Sequence, residues 1–414
     1  MKRSLLVLPF ALVACSDGAT APACDPTIPG TICTIAGDGT SGYAGDDGAA
    51  TEARMSLPQD TLRAPDGTLY ILDWNNHRIR KLPGDGTIRH VAGRGELGGT
   101  LDDPANSDLN HPTGLVLDPS GTRLIIAAWH NSKLRELDLA TGEISDSCGD
   151  GRRAYFGDGT AALTASLDLP ASIAYAPDGK LVIMDQANQV MRAVDANGTI
   201  TRYAGRCVID GPDPGPGKCA DGTEPTPCPS PSGKFTCGAP ATCALPCTPG
   251  YGGDEGPALT LRMGQPFGQS ADPAGRIVFD REGNLYFADS ANSIIRKIDA
   301  NGIVHRVAGQ PLDPGYSGDG GPALEAQLFN PVDLALADDG TLYFTDVYNH
   351  CVRAIAPDQT VSTIAGECGV PGEDGDGGPP TEAHLKRPYG IELADGVLYI
   401  ADTGNNSIRS IVLP

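Results

Sequence analysis

Six copies of one segment fill most of this chain, and internal repeats of this length indicate an array of similar structural units. The clearest part of each copy is an apolar run that ends in Asp, with Asn three residues later and Arg seven residues later. Four copies keep the pattern in full: Asp73, Asn76, Arg80; Asp289, Asn292, Arg296; Asp346, Asn349, Arg353; and Asp402, Asn405, Arg409. Two weaker copies contain Asp185, Asn188 and Arg192, and Ala128, Asn131 and Arg135.

The spacing of the copies sets the number of units. Their first positions lie 55, 57, 104, 57 and 56 residues apart. The long interval reflects lengthened loops rather than a lost copy, because the segments from Gly205 to Asp254 and from Pro266 to Asp289 both exceed their counterparts in the next copy. We therefore expect six units.

Each unit contains four short apolar runs separated by turns rich in Gly, Asp and Pro, which predicts a four-stranded antiparallel meander. A ring of such sheets is a β-propeller, in which neighbours cover both faces of each blade. We predict an all-β fold, a six-bladed β-propeller of four-stranded antiparallel blades. The last copy lacks a fourth strand and residues 31–37 match one, so we expect the N-terminal strand to close the last blade.

The repeated pattern Pro-x-Gly, Asp-Gly-x-Leu-Tyr-x-x-Asp-x-x-Asn-x-x-Ile-Arg, Val-Ala-Gly resembles the NHL-repeat family. The added Gly-Asp-Gly-Gly-Pro-Ala segment is similar to the longer variant of teneurin-like and bacterial secreted NHL proteins. The resemblance covers residues 31–413. It implies a six-bladed propeller, and some six-bladed relatives are lyases or lactonases with a metal in the central channel.

The net charge narrows the range of partners. The chain has 52 acidic and 30 basic residues and a net charge of −22. A phosphate backbone would be repelled, so we expect no nucleic-acid partner. We also expect a monomer.

The N-terminus predicts export. Two basic residues precede a short apolar run, and Leu12-Val13-Ala14-Cys15 resembles the lipobox of bacterial lipoproteins. We predict a signal peptide over residues 1–14, lipidation of Cys15, a tether over 15–30 and the propeller over 31–414. Ser16 favours the outer membrane of the bacterial envelope, with the lipid as the only membrane contact. The alternative is an ordinary signal peptide whose Cys15 joins a disulfide.

The repeated polar residues suit a structural role. Asp73 and Asn76 fall in a turn where Asx side chains bond to the backbone, and Arg80 can reach Asp73 or a carboxylate of the adjacent blade. Gly-Asp loops such as Gly45-Asp46-Asp47-Gly48 precede Ala/Leu patterns, which predicts short helices with Asp at the N-cap. Ca²⁺ is the alternative ligand of these loops, although we expect no cofactor and no metal site.

Twelve cysteines in an exported chain predict disulfides. We expect Cys351, at the start of a third strand, to pair with Cys368, which follows the antiparallel fourth strand. Six cysteines lie in a Pro- and Gly-rich insertion over residues 207–250, and three bridges among them are expected: Cys207, Cys219, Cys228, Cys237, Cys243 and Cys247. A zinc site is the alternative.

Strand direction places the loops between blades and the turns after second strands on one face, the loop face. Trp74, Trp129, His130 and Tyr348 fall in those turns, as binding anchors or packed under neighbouring loops. Asp60 and Asp333 occupy innermost-strand positions of distant blades, too far apart for a metal but able to orient a polar ligand.

We predict a surface-anchored scaffold that binds a protein, peptide or glycan through its loop face, with no catalytic residue. The alternative is a metal-dependent lyase or lactonase-like enzyme that uses the central channel.

Overall fold

The computed structural model describes residues 24–99, 107–208, 226–227, 235–236, 247–266 and 272–413. Nearly all of its secondary structure is β-strand, joined by short 3-10 turns. In chain order the strands are β1 (Ile32–Ala36); β2 (Asp60–Arg63), β3 (Leu69–Asp73), β4 (Arg78–Leu82) and β5 (Arg89–Ala92) of blade 1; β6 (Pro112–Leu117), β7 (Arg123–Ala128), β8 (Lys133–Asp138) and β9 (Ile144–Cys148) of blade 2; β10 (Thr160–Ala161), β11 (Pro170–Tyr175), β12 (Leu181–Asp185), β13 (Val190–Val194) and β14 (Thr199–Gly205) of blade 3; β15 (Thr226–Pro227) and β16 (Phe235–Thr236) of the insertion; β17 (Ile277–Phe279), β18 (Leu285–Asp289), β19 (Ile294–Ile298) and β20 (Val304–Ala308) of blade 4; β21 (Pro331–Leu336), β22 (Leu342–Asp346), β23 (Cys351–Ile355) and β24 (Val361–Ala365) of blade 5; and β25 (Ile391–Ala394), β26 (Val397–Asp402) and β27 (Ser407–Val412) of blade 6.

Among the described residues, eleven 3-10 turns fall into two repeated sets. The first set follows the second strand of each blade, and each turn ends at the Asn of the Asp-x-x-Asn motif, in which Ala128 replaces the Asp in blade 2. These turns are Trp74–Asn76, Trp129–Asn131, Gln186–Asn188, Ser290–Asn292, Val347–Asn349 and Thr403–Asn405. The second set lies in the loops between blades: Ala50–Glu52, Ala162–Thr164, Ala258–Thr260, Ala323–Glu325 and Pro380–Glu382.

The six blades are antiparallel meanders, as the repeats predict. Blades 1, 2, 4 and 5 are four-stranded, and blade 3 gains the short edge strand β10 beside β14. In blade 6 the strand order is β1-β27-β26-β25, so the N-terminal strand supplies the outermost strand of the last blade. Ile32 lies opposite Ile411 and Thr34 opposite Arg409 in that pairing. The predicted six-bladed propeller and its mode of closure are confirmed.

The hydrophobic core is divided among the interfaces between blades. The cluster between blades 4 and 5 joins Ile295 and Phe344 through three residues of the intervening loop, Ala323, Ala326 and Leu328. Corresponding clusters fill the interfaces between blades 6 and 1, 2 and 3, 3 and 4, and 5 and 6. Because each loop packs between two blades, the position of the loop and the packing of the ring depend on each other.

The loops between blades differ from the sequence prediction in two respects. The N-cap positions of their 3-10 turns are Ala49, Ala161, Pro257, Pro322 and Pro379, and none caps with its side chain. The loops also do not stay on the loop face, because the Ala50 N–H donates to Gly86 O, in the turn between the third and fourth strands. The loops before blades 1, 3, 4 and 5 make this type of contact and run along the next blade toward the opposite face.

The Asp residues of these loops bind the buried arginines of the repeats. Arg353 is fully buried and donates from Nη2 to Asp319 Oδ1 at 2.6 Å and to Ser317 O at 2.8 Å. Its Nη1 donates to Gln327 O at 2.9 Å and to Asp346 Oδ2 at 3.3 Å. One guanidinium therefore joins the turn carboxylate, the loop carboxylate and the loop backbone. The same pairs recur as Arg80 with Asp46 and Asp73, Arg192 with Asp158 and Asp185, Arg296 with Asp254 and Asp289, and Arg409 with Asp376 and Asp402.

The Asn of each repeat completes this cluster, which we call the arginine clamp. In blade 5 Asn349 Nδ2 donates to Asp346 Oδ2 at 2.9 Å and to Gly315 O at 2.7 Å. The Phe329 N–H donates to the other oxygen of Asp346 at 2.7 Å. Burial raises the pKa of Asp346 to about 6, against the opposing effect of Arg353 and these donors. The loop glycine is required by the close approach, since at Gly318 (φ +94°) a Cβ would lie 2.7 Å from Ala326 Cα.

Blade 2 forms the arginine clamp without the turn carboxylate. Ala128 occupies that position, and the Asn131 side-chain oxygen accepts the N–H of Asn110 at 2.9 Å. Arg135 Nε lies 3.4 Å from Asp146 on β9, and its Nη2 donates to Gly99 O at 3.1 Å. The arginine stays buried because a carboxylate from its own blade replaces the missing one.

Three disulfides lie among the described residues. Cys351 pairs with Cys368, as the strand positions predict, and Cys207 pairs with Cys247 across the base of the insertion. Cys24 pairs with Cys33 on the closing strand, a bridge the sequence reasoning did not anticipate. Cys148 is a buried free thiol. The predicted positions Cys15, Cys219, Cys228, Cys237 and Cys243 lie outside the described residues.

Within the described ranges, no helix is long and apolar enough to cross a membrane.

The closing strand β1 covers the edge of β27. Deleting residues 28–37 removes β1 and exposes the edge of β27, so cooperative thermal unfolding followed by circular dichroism should be lost. The matched control is the Cys24→Ser/Cys33→Ser double variant, which keeps the strand and loses only the covalent link. It should still melt in one transition, at about 2–4 kcal/mol lower stability. An unchanged melting curve in the deletion variant would show that β1 does not close the ring.

Candidate functional site

The innermost strands of the six blades surround the central channel and share a repeated contact. The Leu115 N–H donates to Asp60 Oδ2 at 3.3 Å, and the Ile277 N–H donates to Ser172 Oγ at 3.2 Å. The Ile391 N–H likewise donates to Asp333 Oδ2 at 2.9 Å. Blades 1, 3 and 5 thus each supply a side-chain oxygen that accepts a backbone N–H from the innermost strand of the following blade.

The corresponding positions of blades 2 and 6 are glycines because the neighbouring backbone is too close for a side chain. At Gly390 a Cβ would lie 2.8 Å from Asp60 Cα, and at Gly114 it would lie 3.1 Å from Ala171 O and from Arg276 Nη1. In blade 4 this position is Arg276, whose guanidinium crosses the channel to Asp60 of blade 1 at 2.8 Å. The buried Arg276–Asp60 pair spans the channel, and we call the part of the channel at this pair the neck.

Three carboxyl groups with raised pKa values surround this neck. Burial raises the pKa of Asp60, and the charge of Arg276 opposes the shift. Burial raises the pKa of Asp333 to about 7, and the charge of Asp60 adds to the rise. The pKa of Glu392 rises to about 8, first through burial and then through the charges of Asp60 and Asp333. Asp60 and Asp333 come from blades 1 and 5, and the charge of Arg276 acts on both carboxyl groups.

A cavity of about 530 Å³ extends from this neck along the channel. Its walls are mainly apolar and come from all six blades, with Leu62, Leu115, Ile173, Phe279, Leu334 and Ile391 among the lining residues. Pro119, Pro177 and Gly179, in turns between first and second strands, also line it. The cavity therefore reaches the face opposite the loop face.

A polar cluster lies on the loop face at the other end of the channel. Arg387 Nη2 donates to Asp272 Oδ2 at 2.9 Å and to the Tyr389 hydroxyl at 2.7 Å. The Tyr348 hydroxyl donates to the same oxygen of Asp272 at 2.9 Å. The side chains of Arg387 and Asp272 are 41% and 38% exposed, so this cluster meets solvent.

The aromatic residues predicted as anchors have different environments. Trp129 is 1% exposed and stacks on His130 with ring centroids 4.4 Å apart, so it belongs to the core. Trp74 and His130 are half-buried beside it. Tyr348 is 36% exposed and forms an edge-to-face pair with Phe329 at 5.1 Å. Of the four residues, Tyr348 presents the most accessible ring to a ligand.

Three histidines converge beside the two tryptophans. The ring of His111 lies 4.2 Å from that of His77 and 4.7 Å from that of His130. Burial, followed by the charges of the other two histidines, lowers the pKa of His111 to about 3. Throughout the described segments, no group of three or more His, Cys, Asp or Glu is placed to hold a metal ion.

Several site residues were missed at the level of sequence. Arg276 carried a signal, because it replaces the small residue that Gly114 and Gly390 provide in other copies. Glu392, Asp272 and Arg387 carried none, since they lie outside the repeated pattern. The three histidines come from separate segments, and only the fold brings them together.

Comparison with known proteins supports the assignment of the repeats. No family model matches the chain. Teneurin-1 of Mus musculus is 25% identical over 423 residues, which cover 92% of this chain and 13% of teneurin-1. Protein SUPPRESSOR OF QUENCHING 1, chloroplastic, of Arabidopsis thaliana is 26% identical over 342 residues, which cover 79% of this chain and 27% of that protein.

Solved structures share the architecture. A Bacteroides thetaiotaomicron protein of unknown function superposes with a TM-score of 0.61 at 16% identity, over 92% of this chain and 75% of its own. An auxiliary nutrient binding protein from the same organism superposes with a TM-score of 0.58 at 15% identity, with the same coverage. The chain is an NHL-type six-bladed β-propeller.

This NHL-type propeller spans about an eighth of teneurin-1 and about a quarter of the plant protein. The activities and partners of those longer proteins therefore do not transfer with the match. The solved structures, at 15–16% identity, establish the shared fold.

The raised pKa of Glu392 predicts how stability depends on pH. A carboxyl whose pKa is higher in the folded state stabilises the fold when it is protonated, and this contribution is lost as the pH rises through about 8. The melting temperature should therefore fall between pH 6.5 and pH 9, and Glu392→Gln should reduce that fall. Glu143→Gln, at an exposed turn, is the control and should melt with the pH dependence of the wild type. Equal pH dependence in wild type and Glu392→Gln would contradict the assignment.

Proposed function

We propose that this propeller is an exported binding protein of the bacterial envelope, anchored by lipid on Cys15, which binds a protein, peptide or glycan through its loop face. Its disulfides support export, because such bonds persist in oxidising compartments. Cys24 is bonded to the closing strand, so a lipid on Cys15 would hold blade 6 nearest the anchor.

The observation that carries the proposal is the exposed cluster of Phe329, Tyr348, Arg387 and Asp272. It combines two accessible aromatic rings with a guanidinium and a carboxylate, and the Arg387 guanidinium lies 5.3 Å from the centre of the Tyr348 ring. Tyrosine and arginine contribute strongly at binding surfaces, because they offer apolar area and directed hydrogen bonds together. The nutrient-binding description of one structural neighbour agrees with a binding role for this fold.

The internal contacts of the cluster suit it to a ligand. Asp272 fixes both Tyr348 and Arg387 before a ligand arrives, so little side-chain freedom is lost on binding. Such a rigid arrangement of ring faces and charged groups can stack on a sugar ring or an apolar peptide side chain and bond to polar groups at its edge.

To test this proposal, the mature protein would be screened on a glycan array and against a displayed peptide library. The affinity of the wild type and of the variants would then be measured for the ligand that binds best. Tyr348→Ala and Arg387→Ala should each weaken binding about ten-fold or more. Arg281→Ala is the matched control, because Arg281 is 79% exposed on the opposite face, and it should bind like the wild type. Ligands whose affinity is indifferent to both loop-face variants would place binding elsewhere and refute the proposal.

A further inference from the structure

The carboxyl groups at the inner end of the channel cavity outnumber the basic side chains. Asp60 forms an ion pair with Arg276 at 2.8 Å. Asp333 accepts backbone N–H groups of Leu334 and Ile391 but lies within ion-pair distance of no basic side chain of the described chain, and the same holds for Glu392. The three carboxyl groups therefore have one guanidinium among them, and it pairs with Asp60. A cationic ligand would have Asp333 and Glu392 to pair with.

Arg276 is not free to bind an anion. Its Nη1 is engaged with Asp60 and its Nη2 lies 3.4 Å from Gln59 O. The guanidinium is itself buried at the neck, where Gly114 leaves room for it. An anionic ligand at the neck would lie beside Asp60, Asp333 and Glu392 as well as Arg276, so the cavity disfavours negative charge.

Thr61 supplies a polar group without a partner. It lines the cavity, is 2% exposed, and its hydroxyl has no hydrogen-bond partner in the part of the chain that the structure describes. Thr61 and Arg63 lie on the same side of β2, and the Arg63 guanidinium lies 6.0 Å from the centre of the Tyr399 ring of blade 6. Glu392 is the cross-strand partner of Tyr399. The free hydroxyl and Glu392 therefore occupy the same interface between blades 1 and 6.

The rest of the cavity suits a small amphipathic molecule. A volume of about 530 Å³ lies within the range of small-ligand sites, and walls such as Leu115, Phe279 and Ile391 can cover an apolar body. The apolar walls also lower the local dielectric constant, which strengthens attraction between a ligand charge and the carboxyls.

The turns around the mouth of the cavity carry more acid than base. Asp66, Asp118, Asp280 and Asp339 lie in these turns, whereas Lys180 and Arg281 are paired with Asp178 and Asp338. A mouth of one charge sign raises the local concentration of the opposite ion. Cations are therefore favoured at the entrance as well as at the neck.

We propose that the channel cavity binds an organic monocation, a primary or secondary ammonium group on a compact apolar body, with the ammonium between Glu392, Asp333 and the Thr61 hydroxyl. This site is separate from the loop face. Because the pKa of Glu392 is raised to about 8, the group holds a proton at pH 7. Binding releases that proton to solvent and leaves an ammonium–carboxylate pair, so charge balances at each step.

The experiment uses isothermal titration calorimetry of the mature protein with three probes that share a phenylethyl body. Phenethylammonium should bind, and 2-phenylethanol and 3-phenylpropionate should bind at least about ten-fold more weakly, because they lack the positive charge. Repeating the titration at pH 7 in two buffers of different ionisation enthalpy should reveal proton release on binding. Equal affinity for the amine and the alcohol would overturn the proposal.

Substitutions locate the charge. Glu392→Gln and Asp333→Asn keep side-chain size and should each weaken phenethylammonium binding about ten-fold, and Glu392→Gln should also remove most of the proton release. Glu143→Gln changes an exposed acid by the same single charge and should bind the amine like the wild type. Arg387→Ala, on the loop face, should also leave amine binding intact, which separates this site from the proposed loop-face function. Amine binding that survives both carboxyl substitutions would place the site elsewhere and contradict the proposal.

Discussion

The buried arginine of each blade is the interaction on which the propeller depends. A guanidinium removed from water is stable only when its donors are satisfied, and here each arginine binds loop backbone oxygens and, in five of the blades, two carboxylates. The clamp fixes the loop that precedes the blade. That loop supplies the small apolar residues packed between two blades, so the charged clamp and the hydrophobic interfaces form together.

The same rigidity creates the two candidate sites. Because the blades are held in register, Asp60, Ser172 and Asp333 can each accept a backbone N–H from the innermost strand of the following blade. For the same reason, Arg276 of blade 4 can form its ion pair with Asp60 of blade 1. The Arg276–Asp60 pair thereby spans the channel at the neck, and the cavity extends from it toward one face. On the other face, loops held by the clamps present Tyr348 and Arg387 around Asp272.

The parts of the structure that repeat were predictable from the sequence, since one pattern read six times gives blade number, closure and the Cys351–Cys368 bridge. The loop carboxylates also carried a signal that the capping interpretation overlooked, because Asp46, Asp158 and Asp319 each precede their arginine by 34 residues. The neck could not be predicted, since Asp60 and Arg276 are 216 residues apart and neither belongs to the repeated motif. Whether Trp129 is buried depends on the packing of neighbouring loops, which no local pattern records.

A double-mutant cycle on one clamp tests the central claim that loop and turn carboxylates act through a shared arginine. Asp319→Asn, Asp346→Asn and the double variant would be compared with the wild type by denaturant unfolding, with Arg353 unchanged. The clamp predicts that the two losses of unfolding free energy are coupled by about 1 kcal/mol or more, because each carboxylate stabilises the guanidinium that the other binds. Additive losses, within about 0.3 kcal/mol, would show that the two carboxylates act independently and that the clamp is not a unit.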